Sequence, residues 1–135
     1  TGLACRLLQI RNTNDLSNHP LRGNLFETLI VSEALKFYYN RGIRPPLFYY
    51  RESNGSEIDL IADRAGVPHP FEIKSALLVK PSAYANILKF RALGIPTGPG
   101  RLVYTGEQTW SHPSCRNISW RDFQGELKDM EKENM

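Results

Sequence analysis

The chain of 135 residues reads as a single α/β domain whose elements run helix, three strands, helix, strand. Three observations predict this. Arg22–Tyr39 carries apolar residues at helical spacing; three short strand-like runs follow, separated by Asn54-Gly55 and Ala65-Gly66; a proline-led helical stretch then precedes a compact run rich in strand-forming residues.

Residues 3–10 are short and apolar, and Asn12-Thr13-Asn14-Asp15 breaks them, so they read as a helical end packed on the body. In the helix Arg22–Tyr39, Gly23-Asn24 marks the start and Asn40-Arg41-Gly42 the exit. At 100° per residue Phe26, Ile30, Ala34, Phe37 and Tyr38 gather on one side, and Thr28, Ser32 and Lys36 fall on the other. Pro45-Pro46 forbids continuation. Strands are expected at Leu47–Arg51, 57–62 and 70–75, a three-stranded meander. Pro81 opens a second helix to about residue 93, which the glycine- and proline-rich loop 94–100 ends. Residues 101–105 read as a further strand and 118–120 as a short last one, completing a domain over 1–123. Residues 124–135 form a charged tail, expected as a frayed helix.

Composition bounds the function. With 41% hydrophobic and 23% charged residues the chain is a folded protein and not a disordered one. No apolar run approaches the roughly 18 residues that a membrane span needs. Cys5 and Cys115 stand far apart and outside any C-x-x-C spacing, which indicates neither a disulfide framework nor a zinc site and suggests free thiols in a reducing cytoplasm. The net charge is +3, and three bases against five acids in the last fifteen residues leave a mildly basic body, compatible with a polyanionic partner. Thr1 is preceded by no Met or signal-like segment, so a longer parent chain is expected.

The chemistry concentrates in Glu57-Ile58-Asp59-Leu60-Ile61-Ala62 and Pro70-Phe71-Glu72-Ile73-Lys74-Ser75. Strand alternation places Ile58, Leu60 and Ala62 toward a core and Glu57 and Asp59 away from it; likewise Phe71 and Ile73 oppose Glu72 and Lys74. Closing the hairpin at Ala65-Gly66 sets Asp59 opposite Glu72. Two facing carboxylates repel, and a divalent cation such as Mg²⁺ between them removes that cost while leaving positions for water and a substrate phosphate. Lys74 shares the face of Glu72 and is placed to orient a water or steady charge on a phosphate. On the first helix, Glu27 lies inside the apolar arc, where a carboxylate is costly unless paired or coordinated.

Helix Glu27, then Asp59, then Glu72-Ile73-Lys74 resembles the PD-(D/E)XK nuclease superfamily, with its restriction-endonuclease-like core of a mixed sheet flanked by helices. More narrowly, Thr1-Gly2-Leu3-Ala4, Leu21-Arg22-Gly23-Asn24-Leu25-Phe26-Glu27, Glu57-Ile58-Asp59-Leu60 and Glu72-Ile73-Lys74-Ser75 are similar to one domain family. That family is the nuclease-like C-terminal domain of prokaryotic AAA+ type ATPases, a domain of unknown function. Arg101-Leu102-Val103-Tyr104 and Ile118-Ser119-Trp120-Arg121-Asp122-Phe123 fit it too, so the resemblance covers about residues 1–123. It departs from the superfamily signature at Ile58, which stands where that signature has Pro before the aspartate. The resemblance implies an ATPase domain N-terminal to this one in the same polypeptide, where ATP would bind; these residues contain no G-x-x-x-x-G-K-[ST]. It further implies that Asp59 and Glu72 hold Mg²⁺ or Mn²⁺, that Glu27 assists from the helix, that Lys74 is the catalytic lysine, and that DNA is the substrate.

Other residues receive plainer readings. His19, His69 and His112 read as solvated loop histidines, and Ser56 and Ser75 lack triad partners. Tyr49, Tyr50 and Arg51 are able to stack on and grip a nucleic acid, though an aromatic strand beside a helix is more often core packing; Lys80, Lys89, Arg91 and Arg101 are able to rim a phosphate site, though scattered bases are usually only solubilising. Three functions follow: metal-dependent hydrolysis of DNA, a catalytically silent module of the same fold that regulates the ATPase, and a homo-oligomer joined through Phe48, Tyr49, Tyr50, Trp110 and Trp120.

Overall fold

A computed structural model describes residues 1–133. Its elements are α1 (Gly2–Leu7), α2 (Thr13–Asn18), α3 (Arg22–Tyr39), β1 (Leu47–Arg51), β2 (Glu57–Arg64), β3 (Val67–Lys74), a 3₁₀ turn (Pro81–Tyr84) leading into α4 (Ala85–Arg91), β4 (Arg101–Tyr104), β5 (Trp110–His112), β6 (Cys115–Ser119) and α5 (Phe123–Lys132). The fold is α/β: one six-stranded mixed sheet in the order β1-β2-β3-β4-β6-β5. β1, β2 and β3 form the expected antiparallel meander. The proline-led helix carries the chain over the sheet so that β4 runs parallel to β3, and β6 runs parallel to β4.

Helices cover both faces. On one, α3 and α5 pack Phe26, Ile30, Phe37, Leu127 and Met130 against Leu60, Phe71, Val103 and Ile118. On the other, Tyr84, Ile87 and Phe90 meet Ile58, Ile61, Leu102, Tyr104 and Cys115. This corrects the alternation expected of β2, in which Ile58, Leu60 and Ala62 share one core. Ile58 joins the α4 face whereas Leu60 and Ala62 join the α3 face. The cause is a slipped register against β1: Phe48 pairs with Ile61 but Tyr50 with Ile58, so Tyr49 alone stands opposite both Asp59 and Leu60. One extra β2 residue reverses the facing of everything before it.

The ends of the chain also differ from expectation. α1 buries none of its residues, and Leu3 and Leu7 remain largely exposed rather than packed on the body. Asn12-Thr13-Asn14-Asp15 starts a helix instead of breaking one: the Asn12 side chain accepts from the Asp15 N–H at 2.9 Å, and Asp15 accepts from the Arg11 N–H at 3.0 Å. β5 was not expected, because three residues before a proline carry too little strand pattern. The charged tail 124–135 is largely the core helix α5, whose Leu127 and Met130 are fully buried; Asn134 and Met135 lie outside the described residues. Its charges face outward while Phe123, Leu127 and Met130 recur at helical spacing on the inner side.

Candidate functional site

The β2–β3 hairpin has the expected register. Leu60 pairs with Phe71, the last paired step of the hairpin; Asp59 and Glu72 follow directly beyond it, close enough for their charges to interact. Ala65 and Gly66 both adopt positive φ, 52° and 82°, the turn geometry that fixes this register. At Asp59 the backbone ladder gives way to a side chain: Asp59 Oδ2 accepts from the Ile73 N–H at 2.8 Å. The same slip that turns Ile58 over therefore ties Asp59 to the strand carrying Glu72 and Lys74.

Glu72 is 2% exposed, and its Oε2 lies 3.7 Å from Lys74 Nζ. Its other oxygen, Oε1, is buried without a hydrogen-bond partner. Burial first, and then the Asp59 charge, push the Glu72 carboxyl up to about 8, with Lys74 opposing. Burial likewise raises the Asp59 carboxyl, against the opposing pull of the Ile73 N–H and Lys74. Near neutral pH this pair favours holding a proton between the buried Glu72 and the half-buried Asp59. Lys74 itself is half-exposed and reaches the surface.

Glu27 stands where the helical arc placed it, facing the strands. It lines a recess of about 300 Å³ together with Asn24, Tyr49, Tyr50, Arg51, Glu57, Ile58 and Asp59. An adjoining open cleft runs from Glu27, Glu57 and Asp59 to His19, Arg22 and Lys74. Partial burial, then Asp59 and Glu57, raise the Glu27 carboxyl. Glu72 lines neither hollow, since it sits beneath Lys74 in the sheet. Arg22 braces the cleft by donating at 2.7 Å to the Ser75 carbonyl just past β3.

Arg22, Glu57 and Asn24 lie in the cleft without being marked by the sequence as site members, Arg22 only as the start of a helix. Glu57 was placed only on the solvent side, although its spacing from Asp59 in Glu-x-Asp could have marked it. Asn24 was read only as part of a helix start, yet it faces the same recess.

Several candidates leave the site. Arg101 does not rim a phosphate site: it is 2% exposed and buried beside α5, donating to Glu126 at 2.8 Å and contacting His69 Nδ1 at 3.0 Å. His69 is accordingly no loop histidine but a buried β3 residue, whose imidazole is held below its ordinary value by burial and by Arg101. Gly98 closes over it; a Cβ there would come within 2.2 Å of the ring. His112 lies on β5, stacked at 4.8 Å on Tyr84. Burial pushes the Cys115 thiol up to about 12, which keeps it an inert core group. Of the aromatic run, Tyr50 packs edge-on against Phe90 at 5.1 Å and bonds Glu52, whereas Tyr49 is 79% exposed.

A hard cation has one clear complement here, the orphaned buried oxygen of Glu72 beside the Asp59 carboxylate. Glu27 shares the cleft with Asp59 rather than its immediate surroundings: among the described residues no three His, Cys, Asp or Glu side chains stand together as a metal-holding group. No described helix is long and apolar enough to cross a membrane. No curated protein and no solved structure matches the chain. The family described as Domain of unknown function (DUF4143) matches residues 22–122, a span that contains Glu27, Asp59, Glu72 and Lys74. With most of its length matched, the chain belongs to this family of α/β domains.

Proposed function

We propose that this domain is a divalent-metal-dependent phosphodiesterase acting on DNA, built on a PD-(D/E)XK nuclease-like core and serving an AAA+ type ATPase. The observation that carries the reading is the half-buried Asp59 next to the buried Glu72, just beyond the Leu60–Phe71 step of the β2–β3 ladder, with one Glu72 oxygen unpartnered and Lys74 beside them. Members of this family follow AAA ATPase domains, which favours a place beside an ATP-binding domain that supplies the nucleotide chemistry. Asp59 and Glu72 would hold Mg²⁺ or Mn²⁺, with the remaining positions left to water and a phosphate oxygen. When bound, such an ion lowers the pKa of water and neutralises charge on the phosphate. Glu72 must give up its proton to ligate, and Lys74, already 3.7 Å away, is placed to stabilise the resulting carboxylate. From the surface end of the same face Lys74 also orients the attacking water and steadies the phosphate. Glu27 lines the same cleft as Asp59 and Lys74, where its carboxylate would accept from a water at the mouth of the site.

Plasmid and single-stranded DNA incubated with the protein, with and without Mn²⁺, test this. Metal-dependent cleavage that Asp59→Ala abolishes supports it; identical DNA patterns for wild type and Asp59→Ala overturn it. One contact favours a second reading, a silent module of the same fold that regulates its ATPase: Lys74 already compensates Glu72. Metal titration separates the two, because only the first requires Asp59-dependent binding of the ion.

A further inference from the structure

We infer that Tyr49 is a stacking platform for an unpaired base, and that the substrate of this site is therefore single-stranded DNA. The inference rests on the phosphodiesterase reading for the reaction, but its observations are separate. Three adjoining β1 residues have different fates. Tyr50 turns to the α4 face, where its ring packs on Phe90 and its hydroxyl bonds Glu52. Arg51 ion-pairs with Glu57 at 3.2 Å on the surface. All three border the recess that holds Glu27 and Asp59, but of the two tyrosines only Tyr49 leaves its ring free: it points to the opposite side from Tyr50 and is 79% exposed. An aromatic ring left in solvent beside half-buried carboxylates is not core packing.

Backbone geometry explains why this ring meets this site. The extra β2 residue makes Tyr49 the single β1 residue opposite Asp59 and Leu60. Cross-strand neighbours sit about 5 Å apart, so the platform lies one base's reach from Asp59. The anchored Tyr50 and the Arg51–Glu57 pair hold the strand on the C-terminal side of Tyr49. Little ordering is then left to do when a base arrives.

An exposed aromatic face discriminates between single strands and duplex. In duplex DNA each base face is already covered by its neighbours, whereas an unpaired base gains a partner by stacking. The recess also carries Glu27, Glu57 and Asp59 against Arg51 alone, so the local field repels phosphates and leaves stacking to supply the attraction at this point. Phosphate contacts fall instead to Arg22 and Lys74 in the adjoining cleft.

The test uses fluorescence anisotropy of a labelled oligo(dT) and a labelled hairpin duplex, with Ca²⁺ present, on wild type, Tyr49→Ala and Tyr49→Trp. An oligo carrying 2-aminopurine reports stacking directly by quenching. The expected result is that wild type prefers the single strand, that Tyr49→Ala weakens it by about tenfold, and that Tyr49→Trp restores both affinity and quenching. Duplex affinity should stay unchanged in all three. Failure of wild type to bind the single strand, affinity of Tyr49→Ala within twofold of wild type, or an equal loss for duplex would overturn the inference. Mn²⁺-dependent cleavage is scored separately with Asp59→Ala. Tyr49-dependent binding without cleavage would defeat the phosphodiesterase reading alone, and Asp59-dependent cleavage indifferent to Tyr49 would defeat the platform alone.

Discussion

Replacing Glu72 by Gln should make the protein's stability less dependent on pH, because Glu72 is the most strongly perturbed carboxyl described. In the unfolded chain this group ionises near its ordinary value of 4.5; in the fold, burial and Asp59 hold the proton up to about 8. Between those two values the native state binds more protons than the unfolded state. The contribution to stability is therefore fully present below about pH 4.5, falls as pH rises, and is lost above about 8. At about 1.4 kcal/mol per pH unit the ceiling is roughly 5 kcal/mol. Relaxation and water entry around a newly charged group reduce this to about 1–3 kcal/mol. Glu72→Gln keeps the shape and removes the ionisation. Urea unfolding at pH 5.5 and 8.5 in EDTA measures it: the stability of Glu72→Gln relative to wild type should rise by about 1–3 kcal/mol between the two pH values. His69, whose imidazole is held down and so favours stability as pH rises through 6.5, is common to both proteins and cancels. A wild type to Gln difference that is the same at both pH values would refute the reasoning.

The remaining predictions test separate features. Asp59→Asn should fold normally in metal-free buffer, because an amide oxygen can still accept from the Ile73 N–H, whereas Asp59→Ala should cost about 1–3 kcal/mol; thermal and urea melts distinguish them. Mn²⁺ should raise the Tm of wild type and leave that of Asp59→Asn unchanged. Glu27→Gln should leave the melt within about 0.5 kcal/mol of wild type yet weaken Mn²⁺ binding or cleavage, as activity and titration would show. Leu127→Ala should cost about 2–5 kcal/mol by urea unfolding, since the side chain is fully buried between α5 and the sheet. A loss below about 0.5 kcal/mol would return residues after 123 to the status of a tail.

What could be read from the residues follows from how local the signal is. α3 is legible over its whole length because its apolar period persists between a Gly-Asn start and an Asn-Arg-Gly exit. The β2–β3 register is legible as far as Leu60 and Phe71 because Ala65-Gly66 is a two-residue turn with both φ values positive, which leaves one closure. The slip at Asp59 is not legible, since it depends on how β1 seats against β2 and leaves no mark in either strand's pattern. Arg101 and His69 were read as surface groups because charge normally implies solvent. Only the return of α5 over the sheet supplies Glu126 and makes their burial tolerable. The same helix was hidden by its many charges, although three apolar residues at the right spacing suffice to bury one face. The nearness of Asp59, Glu72 and Lys74 is legible from their spacing on two adjoining strands, whereas the depth of Glu72 and the exposure of Tyr49 require the packed sheet.

Isothermal titration of the metal-free protein with Mn²⁺ near pH 7, in two buffers of different ionisation enthalpy, tests most directly whether Asp59 and Glu72 form a cation site. One ion per chain should bind, with heats that differ between the buffers because Glu72 releases its proton, and with both effects lost in Asp59→Ala. Absence of binding to wild type, or binding unchanged in Asp59→Ala, would contradict the account.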